Sequence, residues 1–167
     1  MSGEMMTIAP LLTVVFGAVA VLIADMLVPA RRLTPITVAL VALGAAAVVI
    51  TAQGGGVTSA LAGAYVTGPF VSYLGLLGIT VTTITLLMTP DHLGDRGYPT
   101  AEFASILLFA LAGAILVAAS TDLVTLFIGL ELLVIPGYLL AGYAKRDPLS
   151  TEGAVKYFLL GSFSSAI

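Results

Sequence analysis

The sequence predicts an all-α protein, a polytopic transmembrane helix bundle with about five full spans and a sixth that is still apolar at the last residue. Three observations predict it. Hydrophobic residues make up 59% of the chain and charged residues 9%, with a mean hydropathy of +1.14, outside the range of soluble globular domains. Apolar runs of about the length needed to cross a hydrocarbon core recur along the chain, separated by short stretches that hold most of the proline and charge. The Lys and Arg side chains fall only in alternate connections or just beyond them, the mark of an orientation set by positive charge.

The expected spans are residues 8–28, 35–52, 70–88, 103–119, 123–144 and 153–167, all within one transmembrane domain, 1–167. The first follows Glu4 and no basic residue, so it reads as a retained helix rather than a secretory signal. Thr34 and Pro35 suit an N-cap and a first-turn proline for the second. The glycine-rich, uncharged stretch 53–68 is too broken to span and predicts an external loop. TPDHLGDRGYPT, residues 89–100, predicts another loop, and Glu102 falls in the first turn of the fourth helix, where the dipole favours an acid. Asp122, with Thr121, predicts the cap of the fifth. The apolar stretch 153–167 amounts to about 22 Å of helix, short of a core of about 30 Å, so the sequence is expected to be the N-terminal part of a longer protein.

Arg31, Arg32, Arg96, Lys145, Arg146 and Lys156 are all the basic residues. Their placement predicts basic loops in the cytoplasm, the N-terminus outside and a multi-pass protein of a bacterial inner membrane. There is no cysteine, which excludes disulfides, thiolate metal sites and iron–sulfur ligation by this chain. No basic stripe of the kind nucleic acid requires is present, and no phosphate loop, nucleophile elbow or paired hydrolytic carboxylates. Transport, gating or support remain.

Between residues 123 and 144 the one charged side chain is Glu131, close to the middle of the span. A central acid costs about 2.5 to 3.5 kcal/mol on the insertion scale, against roughly 4 to 7 returned by the Leu, Ile, Val and Phe of the segment. The helix inserts with its glutamate. An acid at that depth either packs through a hydrogen bond or relays protons, and we read it as a proton relay. Pro136 leaves the carbonyl of Leu132 without its helical donor, and Tyr138, seven residues on, returns to the face of Glu131. A carboxyl, a freed carbonyl and a phenol on one helix could order a short file of water.

Lys156 is a second candidate, either snorkelling from the end of the sixth span or feeding a proton path. A depth of some 20 Å for Glu131 argues against direct pairing between the two. Asp25 is expected to pair with Arg31 and Arg32 at the interface. Asp91, His92 and Asp95 form D-H-x-x-D without a fourth ligand, so no metal site is expected there. Gly75, Gly78, Gly113 and Gly129 are expected to permit close helix packing.

Two stretches, LVTLFIGLELLVIPGYLLAGY at 123–143 and STEGAVKYFLLGSFSSAI at 150–167, resemble subunit N of bacterial NADH-quinone oxidoreductase, respiratory complex I. The G-L-E-L around Glu131 followed by Tyr138, then S-T-E-x-x-x-K-Y-F-x-L-G, carries the resemblance; the first hundred residues match by topology only. The resemblance implies a 14-helix antiporter-like subunit that takes part in proton translocation driven by NADH-to-quinone electron transfer. It also implies that NADH, flavin, iron–sulfur clusters and quinone belong to other subunits, with no cofactor or redox site on this chain. Other membrane subunits and the lipid bilayer would be its partners. Glu131 matches an acid on the fifth helix that modulates a lysine on the seventh; this sequence ends before that lysine. Lys156 matches the lysine of K-Y-F without an assigned role. A subunit of a sodium/proton antiporter or membrane hydrogenase complex, a stand-alone proton-coupled transporter and a purely structural bundle are the alternatives.

Overall fold

A computed structural model describes residues 2–28, 33–94 and 96–165. Six helices follow one another, α1 (Ser2–Leu27), α2 (Thr34–Ala52), α3 (Pro69–Gly94), α4 (Thr100–Ala119), α5 (Leu123–Ala141) and α6 (Pro148–Ser165). The first five are long and apolar enough to cross a membrane, and the protein is an integral membrane protein. α1 begins six residues before the expected span and α3 runs on through Pro90 to Gly94, because a proline removes one helical bond without forbidding the next turn.

The expected loop at 53–68 is more ordered than its glycines suggest. A hairpin of β1 (Thr58–Ala60) and β2 (Tyr65–Thr67) pairs Thr58 with Thr67, Ser59 with Val66 and Ala60 with Tyr65. Its tip turns through Leu61, Ala62 and Gly63, all at positive φ, a conformation that favours glycine and strains the other two. The strain is held from outside. Thr7 of α1 donates to the Thr58 hydroxyl at 3.0 Å, the Thr121 amide donates to the Ala64 carbonyl at 3.1 Å, the Thr121 hydroxyl donates to the Gly63 carbonyl, and Tyr65 bridges to Ser120. Thr121 therefore ties the hairpin down, and Asp122 alone caps α5, accepting from the amides of Val124 and Thr125 at 2.9 Å each.

α2 lacks the expected cap. Leu33 precedes it without a side-chain bond and Thr34 is already helical. The expected ion pair between Asp25 and Arg31 or Arg32 lies outside the described residues, as do Asp95 and the side chains of Asp91 and His92.

The core lies where α1, α2 and α4 meet, with α3 closing one side. Val14, Ala18, Val21, Ala39, Leu43, Ala46, Leu108 and Ala112 are fully or almost fully buried there. The Ser105 hydroxyl donates to the Ala18 carbonyl at 3.0 Å inside this core, so a polar side chain joins α4 to α1 with its own demand met. The expected packing glycines all face a neighbour: a Cβ on Gly75 would stand 3.0 Å from Ile50 of α2, and one on Gly78 would stand 2.7 Å from Leu111 of α4.

Candidate functional site

α5 joins the bundle along α4 through two glycines set in opposite helices. A Cβ on Gly113 would strike the backbone of Leu132 and Leu133, and one on Gly129 would stand 2.8 Å from the backbone nitrogen of Val117. The absent side chains let the two backbones approach as close-packed membrane helices do. Glu131 lies between these two contacts along α5, one residue before the middle of a 19-residue helix.

The Glu131 side chain is half-buried. It makes no hydrogen bond or ion pair with any of the described residues. Tyr138 stands seven residues on in the same helix, which returns it to nearly the same face. Tyr138 is buried against α6, edge-on to Tyr157 with ring centroids 4.9 Å apart and to Phe158 at 5.5 Å. Gly161 of α6 makes room for its hydroxyl. The Leu132–Leu133 peptide lies against α4, so the carbonyl freed by Pro136 and the phenol of Tyr138 belong to opposite flanks of α5, with Glu131 between them.

Lys156 stands elsewhere. α6 starts at Pro148 with Asp147 accepting from the Leu149 amide at 2.9 Å, which places Lys156 eight residues, about 12 Å, into the helix rather than at its mouth. It is exposed and pairs with Glu152 one turn nearer the helix start, an i,i+4 arrangement that draws the ammonium back toward the start of α6. No cluster of three or more metal-ligating side chains occurs among the described residues.

The connections 96–99 and 143–146 come together at one end of the bundle. The Tyr143 hydroxyl donates to the Pro99 carbonyl, Tyr143 packs edge-on against Tyr98 and Phe103 with centroids 5.9 and 5.7 Å apart, and Lys145 pairs with Glu102 at 3.2 Å. Burial, and next the Glu102 charge, push the Tyr143 phenol up to about 12. The hairpin and the α4–α5 junction occupy the opposite end. Reading the sequence as separate spans gave no sign of this tyrosine–proline contact; the aromatics flanking TPDHLGDRGYPT and following the fifth span were the available signal.

Comparison with known proteins agrees with the resemblance carried by the two motifs. The family model described as NADH:quinone oxidoreductase/Mrp antiporter, transmembrane, matches residues 120–167. NAD(P)H-quinone oxidoreductase subunit 2 of Prochlorococcus marinus strain NATL2A is 37% identical over 161 residues, 95% of this chain and 30% of that protein. The subunit 2 of Trichodesmium erythraeum is 37% identical over 164 residues, 96% of this chain and 31% of its own. A chain of respiratory complex I from Thermus thermophilus, solved with bound aureothin, superposes with a TM-score of 0.78 at 24% identity, over 94% of this chain and 34% of that one. The protein thus shares the fold of a complex I membrane subunit and spans about a third of the length of these relatives.

Proposed function

We propose that this chain, which resembles the antiporter-like subunit N, or 2, of NADH-quinone oxidoreductase over nearly its whole length, serves as part of such a subunit and takes part in proton translocation coupled to NADH-to-quinone electron transfer. It acts as a non-redox part of a translocase. NADH, flavin, iron–sulfur clusters and quinone are held by other subunits, and no cofactor binds this chain. Its partners are the other membrane subunits and the lipid of a bacterial inner membrane, with the basic connections cytoplasmic and the N-terminus outside.

One observation carries the mechanism: Glu131 is an acid near the middle of a spanning helix, half-buried and without a hydrogen-bonding or ionic partner among the described residues. Such a group answers strongly to any charge brought near it, because little intervening dielectric screens the interaction. A cation moved beside Glu131 favours the carboxylate, and its withdrawal favours the protonated acid, so charge rearrangement in a neighbouring element takes up or releases a proton. Tyr138, two turns on along the same helix, is the candidate to hand that proton on. Lys156, tied to Glu152, is a candidate for the approach from the basic end.

The test is Glu131→Gln in the full-length subunit within its assembled complex. Proton translocation per NADH oxidised is expected to fall at least tenfold with assembly intact; translocation at the wild-type level would sink the relay. The family model's description also names the Mrp antiporter, which favours the sodium/proton antiporter reading as the second. On that second reading, the same variant would abolish sodium-dependent proton exchange and leave no link to NADH oxidation.

A further inference from the structure

Where α3 turns into α4 and α5 into α6, an open cavity of about 350 Å³ is walled by Arg96, Tyr98, Pro99, Tyr143, Lys145 and Arg146. That volume falls within the range of small-ligand sites. Three of these six residues are cationic and none is acidic. Lys145 shares its charge with Glu102, whereas Arg96 and Arg146 have no ion pair among the described residues.

The walls are tied rather than loose. The amides of Arg96 and Tyr98 donate to the Leu93 carbonyl at 3.2 and 3.1 Å, and Gly97 at φ +68° lets the chain turn back between them, which fixes Arg96 at the end of α3. Across the cavity, the Tyr143 hydroxyl bonded to the Pro99 carbonyl fastens the end of α5 to the start of α4. Two guanidinium groups on opposed, anchored turns are suited to a tetrahedral oxyanion, since each offers a planar fork of donors. The depth is also informative. The cavity lies at the ends of spanning helices α3, α4 and α5, beside Tyr98 and Tyr143, the level at which amphipathic rings meet headgroups.

We propose that this cavity binds the phosphate headgroup of an anionic lipid, Arg96 and Arg146 gripping the phosphate and Lys145 and the two tyrosines lining its margin. The site lies at the end of α5, and its existence does not depend on proton movement at Glu131. Basic hollows between transmembrane helices recognise such headgroups through the same charge–charge attraction.

The experiment is native mass spectrometry of the assembled protein after exchange into phosphatidylcholine bilayers doped with phosphatidylglycerol. The wild-type protein is expected to retain phosphatidylglycerol against excess phosphatidylcholine. Arg96→Gln with Arg146→Gln should lower that retention about 25-fold, roughly fivefold for each arginine, whereas Arg96→Lys with Arg146→Lys, which keeps both charges but loses the planar forks, should fall between the two. Equal retention by the wild type and the double glutamine variant overturns the site. So does displacement of the lipid by millimolar inorganic phosphate alone, which would make the cavity a free-anion site. Glu131 takes no part in the readout, so failure here leaves the proton proposal standing.

Discussion

Pro10 in α1 and Pro136 in α5 delete the same kind of backbone hydrogen bond, and the protein meets the two losses differently. Pro10 frees the carbonyl of Met6, and the side-chain amide of Gln53, at the C-cap of α2, donates to it at 2.7 Å. Pro136 frees the carbonyl of Leu132, to which no side chain among the described residues donates. The contrast extends to the surroundings. α1 is locked into a core with α2 and α4 whose members are almost fully buried, whereas α5 buries only Gly129, Pro136 and Tyr138 and α6 buries none of its described residues. The carbonyl freed in α1 is met from α2; in α5 an acid and a carbonyl are left without a partner among the described residues. An unmet polar group in a spanning helix is costly, and on the proposed reading this is where a neighbouring charge, water or a proton is received.

Breaking the seam that presents the open region should have the largest effect. Gly113→Leu drives a side chain into the Leu132–Leu133 backbone, and a destabilisation of about 3 kcal/mol is expected, measured as a lowered thermal midpoint by circular dichroism in detergent. Gly3→Leu, where a Cβ meets nothing within 4 Å, is the control that should leave the midpoint alone. The proline contrast itself is sharpened by a double-mutant cycle. Gln53→Ala removes the donor to the Met6 carbonyl and should cost about 1 kcal/mol; adding Pro10→Ala restores the helical donor and should recover most of that loss. If Gln53→Ala costs as much in the Pro10→Ala background as alone, the amide is not serving the freed carbonyl.

The smallest effect concerns the hairpin. The Tyr65 hydroxyl is fully buried without a hydrogen-bond partner among the described residues, and desolvation pushes its phenol from 10.0 up to about 12. Because the unfolded chain ionises first, stability is intact below pH 10 and falls as pH climbs from 10 towards 12. Tyr65→Phe should change stability at neutral pH by no more than about 1 kcal/mol and flatten that alkaline decline; an unchanged decline would assign it to other groups.

The spans were legible because lipid demands long apolar helices, and a hydropathy pattern reports that demand directly. The four packing glycines were legible for a related reason: small residues in such helices mark close approach. The hairpin was not. Its strands are three residues each, too short for alternation to stand out, and what orders them is a set of contacts from Thr7, Ser120 and Thr121 that no local pattern announces. The start of α6 was legible and overlooked, since Asp147 before Pro148 is an N-cap followed by a first-turn proline. At the candidate site, Glu131 and its relation to Tyr138 followed from charge and helical spacing. The flanks on which the carbonyl and the phenol lie did not, because these depend on how α4 and α6 dock on α5.

The two glycine contacts have a mechanical consequence for the carboxyl between them. Gly129 seats on Val117 and Gly113 seats under Leu132 and Leu133, so α5 engages α4 at two notches and cannot slide along it without a collision. The height of Glu131 in the bilayer is thereby indexed, like a pin between two detents. On the proposed reading, a carboxyl held at a fixed height answers events around it by changing its protonation and not its place, as an indicator electrode does.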